Sequence, residues 1–229
     1  MSEQVHAMFS DIASKYDRAN AVLSLGIHRL WRRTAVDMSG ARRGSRVLDC
    51  ATGTGDLAIE FARTVGKDGK VVGTDFNKDM LAYAPHKALD RGLDIMFELA
   101  DAMNLQYDSN TFDVCSIAFG IRNVDDASVA LTEMARVVKP GGRVVVLEFG
   151  QPHGAFGVVY RWYSKHIIPA IGKFITGKRE PFEYLPTTAA VFPAGQRFVD
   201  MMNNTKAFVS VTTKRLTGGV AFVYVGVVR

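Results

Sequence analysis

Residues 47–58 read VLDCATGTGDLA. An apolar, strand-like start runs into a turn holding Gly53 and Gly55, and a helical pattern takes over from Asp56. The two glycines permit a tight turn and close backbone approach, and a helix beginning near Asp56 aims its free amides at whatever the turn holds. Asp75 closes the next apolar run, roughly 20 residues further on, where a ribose-binding carboxylate is expected.

The same rhythm continues outward. Strand-like segments occur at RVLDCA (46–51), KVVGTDF (70–76), IMFELAD (95–101), FDVCSIAF (112–119) and RVVVLEF (143–149). Helix-like stretches, DLAIEFARTVG, KDMLAYAPHKALDRG and DASVALTEMARVVK, lie between them. Short strands apolar on both faces and separated by helices imply a parallel sheet covered on both sides. Pro85 predicts a kink or late start for the second helix, and the KPGG of 139–142 stops the third and turns the chain into a strand. AFVSVTTKRLTGGVAFVYVGVV, at 207–228, predicts two strands around a Gly-Gly turn, hence an antiparallel hairpin at the sheet edge.

The chain of 229 residues suits one α/β domain. It divides into a helical N-terminal cap (1–40), a cofactor-binding core (45–150), a helical substrate- or membrane-facing insertion (151–205) and a C-terminal hairpin (206–229). No run approaches the roughly 18 apolar residues of a membrane span, and MSEQVHAMFSDIASKYD does not resemble a secretory signal. Cys50 and Cys115 read as reduced core thiols. No His/Cys/carboxylate spacing suggests a metal.

Charge is uneven. Residues 1–150 hold 18 Lys and Arg against 20 Asp and Glu, whereas 151–229 hold 10 against 3. A basic, aromatic-rich stretch at 156–182 predicts transient contact with an anionic membrane surface or a lid over the site. Nucleic acid is not expected as a partner, and a homodimer is left open. The expected location is cytoplasmic, with a peripheral contact on the inner face of the cell membrane.

The G-x-G-x-x-A pattern over 53–58 also suits a nicotinamide or flavin cofactor. Asp49 and Asp56, however, bracket the glycines with charge that would repel a pyrophosphate and suit a sulfonium bearing an ammonium. Asp101-Ala102 ends the third strand where an acid can meet an adenine amino group. These features resemble the Class I S-adenosylmethionine-dependent methyltransferases, which implies their Rossmann-like fold: a mostly parallel seven-stranded sheet with an antiparallel C-terminal hairpin and helices on both faces.

The resemblance narrows further. FSDIASKYDRANAVLSLGIHRLWRR (9–33), FDVCSIAFGIRNV (112–124), RVVKPGGRVVVLEFGQP (136–152), YRWYSKHIIPAIG (160–172), EYLPTTAAVFP (183–193) and LTGGVAFVYVG (216–226) together resemble the ubiquinone/menaquinone biosynthesis C-methyltransferase family nearly end to end. The resemblance implies that Thr54, Asp75, Asp101 and Ala102 contact S-adenosylmethionine. Asp49, Ala51, Gly53, Gly55, Phe76 and Ala118 complete the expected cofactor site. Ala51 stands where the family often has Gly, Ala118 where it commonly has Ser, Lys206-Ala207-Phe208 for Ala-Gly-Phe, and Tyr224 for His.

The implied reaction is C-methylation of a polyprenyl quinol, with demethylmenaquinol favoured over the ubiquinone precursor, partly by the short N-terminus. Other readings are methylation of another small aromatic acceptor, a nicotinamide-dependent oxidoreductase, and a non-catalytic scaffold of quinone assembly. Ring methylation requires a deprotonated ring hydroxyl beside the methyl donor. Arg122 and Asn123, delivered at the end of the fourth strand, are the expected catalytic pair, Arg122 stabilising the phenolate directly or through water. Tyr16, Tyr163, His166 and Tyr184 are expected to line the quinol pocket. His28 and His166 are weaker candidates for a base: His28, beside Arg29 and Trp31, reads as a packing or capping residue, and His166 faces either the ligand or the solvent.

Overall fold

The computed structural model describes residues 3–229, so the first two residues of the expected cap lie outside the described residues. Five parallel strands carry the sheet: β1 (Arg46–Cys50), β2 (Lys70–Asp75), β3 (Met96–Leu99), β4 (Phe112–Ala118) and β5 (Val138–Phe149). Two more, β6 (Phe208–Leu216) and β7 (Ala221–Val228), complete the order β3-β2-β1-β4-β5-β7-β6. β7 runs antiparallel between β5 and β6, and the linking turn uses Gly218 and Gly219 at φ 65° and 102°. The expected parallel sheet with an antiparallel C-terminal hairpin is what forms.

Alternation along each strand builds two cores. Val144 and Val146 of β5 face a cluster with Leu48, Ile117, Leu131, Met134, Phe198 and Met202. Val145 and Leu147 face the other side, with Val47, Trp31, Phe61 and Val223. The helices behind these faces are α3 (Ile27–Ser39) and α4 (Asp56–Val65) on one side, α7 (Ala127–Val137) and α10 (Gln196–Asn204) on the other. A strand with both faces buried must be apolar throughout, which is why these runs lack polar alternation.

Pro85 stands in the first turn of α6 (Ala84–Leu89), separate from the short α5 (Lys78–Leu81), so the late helix start holds. At 139–142 the outcome is finer than expected. α7 does end at Val137, but β5 begins at Val138 and passes through the KPGG segment with a register shift against β4. A Cβ on Gly142 would lie 2.6 Å from Val138 Cγ1 and 2.7 Å from the Asp113 carbonyl, so the irregular strand needs a glycine there.

The cap consists of α1 (Glu3–Ile12), α2 (Tyr16–Leu23) and α3; the insertion consists of α8 (Gly154–Thr176), α9 (Glu180–Val191) and α10. Cap and insertion meet in a small third cluster of Ile12, Ala19, Ile168 and Phe182, against which Phe9, Tyr16, Leu23, Tyr163 and Ile175 pack. That cluster roofs the carboxyl ends of the parallel strands, where open α/β sheets receive ligands.

Candidate active site

The turn after β1 is held by carboxylates. Asp75 accepts the Gly53 amide on one oxygen at 2.7 Å and the Asn77 amide on the other at 2.7 Å, and burial raises its pKa. Gly53 and Gly55 adopt φ 57° and 84°, and Ala51 adopts φ 47°, a left-handed conformation that favours glycine. A cavity beside this turn is lined by Ala51, Gly53, Asp75, Phe76, Asp101 and Ala102. Ala118 and Asn123 close it from the β4 end, and Phe9 and Tyr16 cover it from the cap.

Three expected cofactor residues sit elsewhere. Asp49 and Thr54 line a narrow recess next to this cavity, together with Arg32 and Asp56. Gly55 lines neither space; a Cβ there would lie 3.1 Å from Ala84 Cβ and 3.2 Å from the Phe97 ring, so its part is close packing of α4. Asp49 accepts the Thr52 hydroxyl at 2.6 Å and the Ser116 hydroxyl at 2.7 Å, and burial pushes its pKa up to about 6. Thr54 donates to Asp17 at 2.6 Å, and Lys87 donates to both Thr54 and Asp17.

The charge reading at the turn needs correction. Asp56 is not a bare anion: it pairs with Arg32 at 3.0 Å and Lys87 at 2.5 Å. Burial opposes its ionisation, but the two cations together hold its carboxyl below the usual range. The recess therefore presents the Arg32 cation as well as acidic groups.

A second cavity, of about 220 Å³, lies under the cap and insertion and is overwhelmingly apolar. Trp31, Phe119 and Phe149 form its floor, the Phe119 and Phe149 rings 4.4 Å apart. Tyr16, Tyr163 and Tyr184 all line it, and burial raises the pKa of each. His166 does not: it lies in a separate outer groove with Arg161, Lys165 and Arg179, its ring 5.8 Å from Trp162. Tyr16 and Phe119 border this cavity, the turn cavity and the recess at once.

The segment after β4 makes that junction. Phe119 adopts φ 58°, an uncommon conformation for an aromatic residue. A Cβ on Gly120 would sit 2.5 Å from Ala51 Cβ, so the two loops touch where neither tolerates bulk. A 3₁₀ turn over Ile121–Asn123 then sets Arg122 against the aromatic cavity and Asn123 against the turn cavity. Tyr184 donates to Asn123 Oδ1 at 3.1 Å, linking the two.

Arg122 is anchored by a residue the sequence did not single out. Its Nη1 donates to Glu148 Oε1 at 2.7 Å and to the Phe119 carbonyl at 2.7 Å, and its guanidinium stands 5.3 Å from the Phe149 ring centroid. Both side chains are almost wholly buried, and Arg122 Nε and Glu148 Oε2 have no hydrogen-bond partner among the described residues. A lone acid ending the apolar VVVLEF strand was the available signal. Arg32, Asp17 and Lys87 were also missed; they pair across long sequence separations.

Comparisons with known proteins place the chain in a family. The family described as the ubiE/COQ5 methyltransferase family matches residues 1–228. The chain is 55% identical to "Ubiquinone/menaquinone biosynthesis C-methyltransferase UbiE" of Bdellovibrio bacteriovorus, over 99% of this chain and 97% of that protein. It is 46% identical to "Demethylmenaquinone methyltransferase" of Thermus thermophilus, over 96% of this chain and 99% of that one. Among solved structures, a SAM-dependent methyltransferase of Thermotoga maritima, described as a possible histamine N-methyltransferase, superposes with a TM-score of 0.69 at 19% identity. That match covers 96% of this chain and 98% of the other, and it speaks for the fold.

Proposed function

The chain belongs to the ubiE/COQ5 methyltransferase family, and from that premise we propose that it methylates a ring carbon of a polyprenyl quinol, with demethylmenaquinol as the acceptor. It is an S-adenosylmethionine-dependent methyltransferase; the bound cofactor supplies an electrophilic methyl group on a sulfonium sulfur. The observation that carries the acceptor class is the junction at Tyr16 and Phe119, where an aromatic-lined cavity opens beside the glycine turn.

The residues present fit the cofactor. Asp75 is fixed by two amides and keeps lone pairs for ribose hydroxyls, Asp101 lines the same cavity and can accept from an adenine amino group, and Phe76 lines it too. The recess holds Arg32 and Asp49 at opposite signs, as a zwitterionic amino-acid tail requires. In the acceptor cavity Arg122 presents a guanidinium that Glu148 orients, and positive charge in an apolar pocket lowers the pKa of a ring hydroxyl. Asn123, held by Tyr184, orients that hydroxyl or a water beside it.

Access from a bilayer is supported by α8. Phe156, Val158, Val159 and Trp162 are exposed along it, Leu25 is exposed at the cavity mouth, and Arg161 and Lys165 lie close by in sequence. Apolar side chains at a headgroup boundary with basic groups beside them are the signature of a peripheral contact. No helix among the described residues is long and apolar enough to cross a membrane.

Incubation with labelled S-adenosylmethionine and either demethylmenaquinol or the ubiquinone precursor, with products identified by mass, tests the reading. Label is expected on the naphthoquinol; absence of label from both acceptors rejects a quinol methyltransferase.

A further inference from the structure

Deprotonating a ring hydroxyl needs an acceptor for the proton, and the acceptor cavity offers few. No Asp, Glu, Lys or Cys among the described residues lines it. Arg32 and Arg122 have no lone pair to give. Its tyrosines have phenol pKa values raised by burial, Tyr160 to about 12, so they are neutral phenols near neutral pH. The Tyr163 hydroxyl donates to the Leu23 carbonyl at 3.0 Å and the Tyr184 hydroxyl to Asn123.

Among the described residues His28 is the one histidine on the cavity wall, and its tautomer follows from its neighbours. The Ser24 hydroxyl donates its single proton to the Asn20 carbonyl at 2.6 Å. Ser24 Oγ also lies 2.5 Å from His28 Nδ1, and with its proton already committed it can only accept there. Nδ1 therefore carries the ring proton, and Nε2 carries a lone pair. Among the described residues Nε2 has no hydrogen-bond partner, yet it is not one of the sealed-off unpaired atoms there, which are Arg122 Nε and Glu148 Oε2. His28 is only 6% exposed and lines the cavity, which leaves Nε2 as its one ring nitrogen free to meet a ligand there.

Resting on the reading of the site as a quinol methyltransferase, we propose that His28 Nε2 is the general base that takes the ring-hydroxyl proton. The O–H bond breaks, its electron pair stays on the ring oxygen and spreads to the ring carbon, and the proton moves to Nε2 to give an imidazolium. When the methylated carbon later loses its own hydrogen, the ring oxygen regains a proton from Nε2, and one proton leaves to water per turnover.

The surroundings keep the ring neutral and available. Burial lowers the His28 pKa to about 4, with Arg32 and Arg29 of its own helix adding to the shift and Asp56 of α4 and Asp17 of α2 opposing it. Arg122 faces the same cavity. A ring oxyanion formed beside the imidazole raises its proton affinity in turn, so that low value describes the cavity before an acceptor ionises.

The test uses the whole protein and 1,4-naphthalenediol under anaerobic conditions. His28→Gln keeps a hydrogen-bond acceptor near Nε2 but cannot hold the proton. It is expected to lower kcat by about 10²- to 10⁴-fold, while the diol KM and the affinity for S-adenosylhomocysteine change less than about threefold. Added imidazole is expected to restore turnover to His28→Ala, and the far less basic pyrazole is not. A kcat within fivefold of wild type in His28→Gln, or equal rescue by pyrazole, overturns the proposal. Nitrogen-15 spectra of His28 decide its placement without turnover: the Nδ1–H tautomer with an Nε2 signal that moves on adding the diol is expected. An Nε2–H tautomer or an unmoved signal overturns it. A wild-type protein that methylates no quinol rejects the parent reading instead, and the nitrogen signal still decides whether His28 meets a ring hydroxyl.

Discussion

Ala51 spends its residue in a conformation made for glycine, at φ 47°, directly against Gly120. Left-handed backbone costs a residue with a Cβ about 1 kcal/mol or more. Ala51→Gly is therefore expected to raise the melting temperature by roughly 2–4 °C in a chain of this size, read by calorimetry; an unchanged or lower value would show that the Ala51 methyl contact outweighs the relief. Asp49 carries a different burden. Its pKa of about 6 means that the buried carboxylate is disfavoured in the fold. The sign follows: the penalty is fully present above about pH 6 and fades as pH falls toward the unfolded value near 4. Asp49→Asn should stabilise the protein at pH 7.5, by about 2 kcal/mol at most because Thr52 and Ser116 lose their anionic acceptor, and leave stability at pH 4 nearly unchanged. The same variant should bind S-adenosylmethionine more weakly. Chemical denaturation at both pH values measures the difference, and equal effects at both would reject the burial argument.

At the scale of elements, the cap is tied to the cofactor turn by charges. Asp17 of α2 accepts from Thr54 beside α4 and from Lys87 of α6, and Lys87 also pairs with Asp56. Asp17→Asn removes one charge from this chain without touching either cavity wall, since Asp17 lines neither. Release of S-adenosylhomocysteine is expected to accelerate several-fold in stopped-flow measurements, with kcat changed less; an unchanged release rate would mean the tie does not hold the cap. The elements themselves were legible to different degrees. Strand runs such as RVLDC and the Gly-Gly hairpin stood out because β period and turn chemistry are local signals. The passage of β5 through KPGG was not legible, because its irregularity is set by contact with Asp113 and Val138 across the sheet. The helical character of 151–205 was legible, but its division into α8 and α9 was not, since each helix contains a proline inside it.

For the molecule as a whole, the site was half legible for a related reason. Gly53, Asp75, Asp101, Arg122 and Asn123 lie at strand ends, where topology alone brings them together. Glu148, Arg32 and the environment of His28 depend on packing between segments far apart in sequence, and His166 could not be oriented around α8 from sequence spacing. That division carries into stability. The sheet faces rest on two large buried clusters, whereas the roof over both cavities is joined by a small one whose buried members are Ile12, Ala19, Ile168 and Phe182. Segments with few buried apolar contacts open first. Hydrogen exchange in the free protein should therefore be fastest in α1, α2, α8 and α9 and slowest in β1, β4 and β5. A ligand bound under the roof stabilises only closed molecules. S-adenosylhomocysteine at 100 times its dissociation constant contributes about 2.7 kcal/mol, a rise of roughly 5–11 °C in melting temperature. Its protection should concentrate in α1 and α2, because Phe9 and Tyr16 cover the turn cavity. An acceptor quinol should extend protection to α8 and α9, whose Tyr163 and Tyr184 line the second cavity. Protection spread evenly over sheet and roof would show instead that the roof is already closed without ligand, and that entry to both cavities does not require the cap to move.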